Sequence, residues 1–372
     1  MPSKSYRAAV IGRSGQGDYG HGLDVVYNGM PQVTVIAVAD PDSAGRAACA
    51  ARTRATEQFA DYQEMLRKVK PDLVSVGPRW IDCHHDMVSA CVSAGVKGIF
   101  CEKPFARTLA EADLMLARCR KAGVAVAVAH QNRAIPYLDR VKQLVRDGAI
   151  GRLMRVRGKG KDDTRGGAED LIVLGTHVLD MMRACAGDPL WAFGHIRKDG
   201  AELTRADVRE GAEQLGPMGG NNLTGYFAFP NGVAGNFESY VGHGSGRYMG
   251  IWLEGTEGTI ALHGGFDKQA YLCKSPHWTP ELGAAAWERI RIPEWDQGPD
   301  GHARSGAELL NLANQRMVLG LIECIEKGGT HFSSGEDARW AMEMYFSIPE
   351  SQRTGGRVQF PMKTRNNPWS LL

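Results

Sequence analysis

The residues with the most legible chemistry lie in the first third of the chain. The stretch Gly12-Arg13-Ser14-Gly15-Gln16-Gly17-Asp18-Tyr19-Gly20-His21-Gly22 holds five glycines and directly follows a short apolar run at residues 8–12. Glycine lets backbone amides come close to a charged ligand, and a loop between a first strand and a first helix offers the helix N-terminus to phosphate. Gly12, Arg13, Ser14 and Gly15 are therefore expected to meet the pyrophosphate of a dinucleotide, although the loop is longer than a plain GxGxxG turn. Asp40 closes the next apolar run, 33–39, where a carboxylate can accept hydrogen bonds from both ribose hydroxyls of an adenosine. It would repel a 2′-phosphate, so the residue favours NAD over NADP. Asp40-Pro41 is also an ordinary turn signal.

These residues need a scaffold, and the pattern around them supplies one. Runs at 8–12, 33–39, 72–76, 96–100 and 124–129 read as strands apolar on both faces. Segments 43–54, 61–68, 82–94 and 109–122 read as the helices between them. Such alternation predicts a doubly wound parallel sheet, a Rossmann-type domain over residues 1–133. Beyond it the pattern changes. A helix over 137–147, a strand over 153–160, the charged loop 161–165 and a helix over 170–184 come first. Strand-like runs follow at 225–229, 233–240, 248–254, 258–263 and 270–274, with Pro230-Asn231-Gly232 as a hairpin signal. This predicts an α+β domain over 134–372 with a large open, mostly antiparallel sheet covered by helices on one face. Residues 240–247 read as a loop near the pocket or a plain turn. A helix over 335–354 precedes a last strand at 357–360, and 363–372 read as draped over a neighbour or disordered.

Composition narrows the function classes. Hydrophobic residues are 43% and charged residues 23%, the balance of a soluble globular chain. A net charge of +2 without basic clusters argues against nucleic acid and anionic membrane as partners. No apolar stretch is long enough to span a bilayer, and no secretory leader is evident. The eight cysteines stand singly with no CxxC pair, so reduced thiols in a cytoplasmic protein are expected and no metal is called for.

At Cys101-Glu102-Lys103-Pro104 the chain resembles the Gfo/Idh/MocA oxidoreductases, the family of glucose–fructose oxidoreductase and inositol dehydrogenase. The matches run in order: the Gly12 loop, Ala39-Asp40-Pro41-Asp42, Gly77-Pro78 followed by His84, and Glu102-Lys103-Pro104. Then come Gln131-Asn132-Arg133, Gly148-Ala149-Ile150-Gly151, Gly175-Thr176-His177 with Asp180, and Gly255-Thr256-Glu257-Gly258-Thr259. The resemblance implies cofactor contacts at Pro78, Arg79, His84 and Glu102. It also places Lys103 beside nicotinamide and substrate, before a proline that is often cis, and makes His177 catalytic. Chemistry agrees, because hydride leaves a carbinol carbon only as its hydroxyl proton leaves. One departure stands out. Many relatives carry an aspartate four residues before the histidine, and here that position is Val173. Asp170, two helical turns before His177 on a continuous helix, is the expected replacement.

Trp80, Arg133 and Arg165 are the candidates for the substrate-pocket wall, although Arg79 and Trp80 could equally touch the cofactor. The leading reading is an NAD-dependent dehydrogenase acting on a secondary alcohol of a sugar, sugar derivative or cyclitol. An alternative keeps NAD bound and uses transient oxidation for elimination or glycoside cleavage. A cofactor-sensing regulator is the non-enzymatic third. The resemblance also implies a homodimer or homotetramer paired through the second domain's sheet.

Overall fold

The computed structural model describes residues 5–242, 249–265, 269–276, 279 and 282–372, so part of the 240–247 stretch lies outside the described residues. The chain forms two compact units. One runs to Ala134 and includes Glu213–Leu215 and Leu310–Arg339; the other holds Ile135–Ala212, Gly216–Leu309 and Trp340–Leu372.

In the first unit, β1 (Tyr6–Ile11), β2 (Val33–Ala39), β3 (Glu57–Phe59), β4 (Leu73–Val76), β5 (Gly98–Cys101) and β6 (Ala125–Val128) form one sheet in the order β3-β2-β1-β4-β5-β6. Every neighbouring pair is parallel. Strands β4 and β5 are buried at each position, as unbroken apolar runs require. The edge strand β3 carries no apolar run, and pattern reading passes over it. Helices α1 (Ser43–Thr53), α2 (Tyr62–Val69), α3 (His84–Ser93) and α4 (Leu109–Ala122) fill the connections. Asp42, Asp61 and Thr108 cap α1, α2 and α4 by accepting from backbone amides of their first turns.

The second unit begins with α5 (Pro136–Arg146), β7 (Leu153–Lys159), α6 (Ala168–Val173) and α7 (Gly175–Ala186). Strands follow as β8 (Trp191–Lys198), β9 (Ala201–Glu202), β10 (Arg209–Glu210), β11 (Pro217–Met218), β12 (Asn222–Ala228), β13 (Ala234–Tyr240), β14 (Gly250–Gly255), β15 (Thr259–His263), β16 (Ala270–Cys273) and β17 (Trp287–Ile290). After α8 (Pro293–Asp296), α9 (Gly306–Lys327) and α10 (Gly335–Thr354) comes β18 (Val358–Gln359). The large sheet runs β17-β16-β15-β14-β7-β13-β12-β8-β18, with β9 on β8 and, among the described residues, only β7–β13 parallel. One face is apolar and covered: Val156, Phe227, Phe237, Leu253 and Ile260 are fully buried. Helix α7 lies close above it, since a Cβ at Gly158 would come within 2.7 Å of Val178 Cγ1.

Three expectations change. No α-helix follows β1: residues 12–32, all described, hold turns and one 3₁₀ turn, Val25–Tyr27. Gly20 and Gly22 take φ of +63° and +78°, which a right-handed helix cannot hold. Instead α9, from Leu310 onward, packs in the first unit. Its Asn314 donates to the His21 carbonyl (2.8 Å), Gln315 to the Asn28 carbonyl (2.9 Å), and Tyr6 Oη donates to Glu326 (2.8 Å). Residues 310–339 thus leave the block expected for the second domain. Next, the helix expected over 170–184 is two helices, separated at Leu174 with φ −115°. The break precedes Gly175, where a Cβ would lie 2.8 Å from the Phe237 ring. Finally, the tail expected to drape over a neighbour or be disordered packs on its own chain at Trp369. Trp369 is buried, its Nε1 donates to the Gly219 carbonyl at 3.2 Å, and its ring meets Phe346 edge-on. Trp369→Ala should cost about 3–5 kcal/mol in denaturant unfolding; a cost below about 1 kcal/mol would show that the tail does not hold the second unit.

Candidate active site

In the first unit a cavity of about 290 Å³ opens beyond the carboxyl ends of β1 and β2, lined by Gly12, Arg13, Asp40, Pro41, Tyr62 and Asp82 among others. This is where ligands of open parallel sheets bind. Asp40 is buried. It accepts from the Ser14 hydroxyl (2.7 Å), the Ser14 amide (3.1 Å) and the Asp42 amide (2.9 Å). The carboxylate therefore also anchors the glycine loop. Gly12 admits no side chain, because a Cβ would sit 2.1 Å from Tyr19 Cε1. Arg13 Nη1 donates to both oxygens of Asp82, at 3.0 and 2.8 Å. The Gly15 amide donates to Asp18, which also lies 3.9 Å from the Arg79 guanidinium.

The glycine loop is tied to the Glu-Lys-Pro turn by one buried carboxylate. Glu102 Oε1 accepts from the His21 amide at 2.8 Å and lies 2.6 Å from His21 Nδ1, while Oε2 accepts from the Lys103 amide at 2.7 Å. Gly20 packs directly on it, where a Cβ would lie 2.5 Å from Oε1. Burial pushes the Glu102 pKa up, but the His21 imidazole and Lys103 outweigh it and hold the group at about 2. Glu102 thus holds protein to protein. His84 does the same: its ring nitrogens lie 2.7 Å from the Pro78 carbonyl and 3.2 Å from the Phe105 carbonyl. The Arg79 amide donates to the Gly17 carbonyl at 3.0 Å, which seats the Pro78-Arg79-Trp80 turn on the loop. Lys103 is buried after β5, and the Lys103–Pro104 bond is cis.

Beyond β6, Gln131 and Asn132 are buried, and their amide nitrogens have no hydrogen-bond acceptor among the described residues. Buried donors are nearly always satisfied, so these two are available to a water or ligand oxygen. In the sequence they stand only as part of a family motif, not as site candidates. Their amide chemistry beside a parallel-strand terminus was the available signal. Arg133 points elsewhere: it donates to the Phe332 carbonyl at 3.3 Å and lies 3.4 Å from Asp337.

In the second unit His177 is buried in the first turn of α7, with Asp180 buried one turn on. Val173 ends α6. Because α6 and α7 are separate helices, the seven-residue offset no longer sets Asp170 and His177 on one face. Asp170 Oδ2 instead accepts from Ser239 Oγ (2.6 Å) and the Lys161 amide (2.9 Å), and burial pushes its pKa up. Its Oδ1 is buried without a hydrogen-bond donor among the described residues. Arg165 pairs with Asp163 at 2.8 Å, and this bond first of all draws the Asp163 pKa down to about 2. Arg165 also lines a polar cavity of about 220 Å³ with Glu169, Lys198, Arg209 and Asn221. Among the described residues no cluster of His, Cys, Asp or Glu is placed to hold a metal ion, and no helix is long and apolar enough to cross a membrane.

A parallel sheet in this strand order, a glycine turn after β1 and a buried carboxylate following β2 are the marks of a dinucleotide-binding domain. The chain belongs to the Gfo/Idh/MocA family: the family described as "Oxidoreductase family, NAD-binding Rossmann fold" matches residues 6–130. The D-apiose dehydrogenase of Paraburkholderia graminis is 31% identical over 96% of this chain and 90% of its own. The scyllo-inositol 2-dehydrogenase (NAD(+)) of Bacillus subtilis is 26% identical over 96% and 97%. A solved levoglucosan dehydrogenase in complex with NADH and levoglucosan shares the fold, with TM-score 0.75 and 20% identity over 96% of this chain and 100% of that one.

The Glu102 tie has a pH signature. Its folded pKa lies below the ordinary 4.5, so its stabilisation is present above pH 4.5 and is lost as pH falls toward 2. Glu102→Gln should therefore cost on the order of 3 kcal/mol at neutral pH, with the difference from wild type closing toward pH 2 in denaturant titrations. A difference constant over that range would contradict the tie.

Proposed function

We propose that this protein is an NAD-dependent dehydrogenase that oxidises a secondary alcohol of a sugar, sugar derivative or cyclitol. The observation that carries the reading is the whole-length likeness to a sugar dehydrogenase and a cyclitol dehydrogenase, in a chain with Asp40 at the end of β2. The residues present fit the cofactor. Gly12 and the loop amides suit a pyrophosphate, Asp40 suits ribose hydroxyls, and the buried Gln131 and Asn132 amides can donate to ligand oxygens. When bound, NAD supplies the hydride acceptor. His177 takes the proton from the substrate hydroxyl as its C–H bond breaks. Lys103, buried after β5, is the residue assigned to polarisation or proton relay. Asp170 acts at one remove, by holding the chain at Lys161 and Ser239. Nothing in the relatives favours the glycoside-cleaving alternative.

None of the eight cysteines, all described, is in a disulfide, which suits a reducing compartment such as the cytoplasm. Self-association is proposed through the open face of the large sheet. One register row crosses it: Arg289, Tyr271, Ala261, Trp252, Arg157, Asn236, Tyr226 and Phe193. Phe193 is 45% exposed, and a face this rich in aromatic side chains and arginine has the composition of an interface core.

Two tests follow. With a panel of aldoses, anhydro-sugars and inositols, NADH formation should identify a substrate; His177→Ala and Lys103→Ala should each lower kcat by about 10²–10⁴-fold. NAD binding by calorimetry should survive both changes. Full turnover in either variant would remove that residue from the chemistry. Separately, Phe193→Glu should lower the mass seen by light scattering while circular dichroism stays unchanged; an unchanged mass would place any self-association elsewhere.

A further inference from the structure

We propose that Asp82 is a determinant of the choice of NAD over NADP, acting by masking Arg13. The inference rests on reading the 290 Å³ cavity as the adenosine-ribose site. Asp40 alone does not settle the choice there, because Arg13 lines the same cavity. A guanidinium holds phosphate with paired, charge-assisted hydrogen bonds, so an unengaged Arg13 would offset the repulsion that Asp40 exerts on a 2′-phosphate. The structure engages it. Nη1 reaches both carboxylate oxygens of Asp82, and the two side chains are only 27% and 26% exposed. Asp82 is carried on the 3₁₀ turn Ile81–Cys83 that opens α3, so its carboxylate is fixed by the backbone beside the site.

The charges around Arg13 support this. Asp40, Asp82 and Asp86 line the cavity, and Arg13 is its one guanidinium among the lining residues named by the structure. Cys83 also lies beside Arg13, but burial pushes its thiol up to about 11, so it carries no charge at neutral pH. A 2′-phosphate entering this cavity meets carboxylates and a cation whose Nη1 is engaged and whose charge is already paired with Asp82. Neutralising Asp82 removes one negative charge and releases the guanidinium in the same step.

The test uses the full chain and two nucleotides that differ only in the group concerned, 5′-AMP and adenosine 2′,5′-bisphosphate, with binding read by calorimetry. Asp82→Asn should tighten the bisphosphate relative to 5′-AMP by about tenfold, the size expected for a freed charge-assisted contact. The double variant Asp82→Asn with Arg13→Gln should return the ratio to that of wild type, because the gain runs through Arg13. An unchanged ratio in Asp82→Asn, or a gain that persists without Arg13, would overturn the masking while leaving the ribose site intact. Failure of wild type and variants alike to bind 5′-AMP would overturn the ribose-site reading itself, and this inference with it.

Discussion

A carboxylate sealed from water must be matched by donors or give up its charge, and Glu102 is the group on which this site depends. It faces the His21 amide and imidazole on one side and the Lys103 amide on the other. The glycine loop and the lysine come from strands β1 and β5, far apart in the chain, and this one side chain sets both in place. Gly20 is glycine because the carboxylate occupies the space a Cβ would take. The loop is consequently held by Asp40 at its start, through Ser14, and by Glu102 at its end, through His21. Asp40 keeps the chemistry to accept a ribose; Glu102 is committed to the protein.

That arrangement makes a helix after β1 unnecessary. A loop pinned at both ends no longer needs a helix to orient it, but the sheet face still needs a cover. Helix α9 supplies it from nearly three hundred residues later, with Ala313, Met317 and Leu321 buried at four-residue spacing. Asn314 closes the arrangement by donating to the His21 carbonyl. The helix-N-terminal contribution usual at a pyrophosphate is absent from residues 12–32, which shifts weight onto the loop amides and nearby side chains.

How far the chain could be read from its residues follows the same physics. The parallel strands were legible because burial on both faces demands unbroken apolar runs, as in Leu73–Val76 and Gly98–Cys101. The three-residue strand β3 was not, since an exposed edge makes no such demand. The Gly12 loop, Asp40 and Lys103 could be picked out by type and place, and Gly12 and Asp40 line one cavity. The roles of Glu102 and His84 could not, because both serve backbone groups distant in sequence. Asp170 shows the limit from another side. Its offset from His177 assumed one helix, and the turn at Leu174 that separates the two depends on how Gly175 meets Phe237 on a neighbouring strand. Local pattern carries no trace of that contact.

The central claim is that the chain passes hydride from a sugar or cyclitol carbinol to NAD, and isotope transfer tests it most directly. A substrate found active in the panel would be prepared with deuterium on the carbinol carbon and incubated with the protein and NAD, and the recovered nucleotide read by NMR. The account predicts deuterium in the reduced nicotinamide and a ketone product in equal amount. Consumption of substrate with no label in the nicotinamide, or with label lost to solvent and no net reduced cofactor, would contradict it.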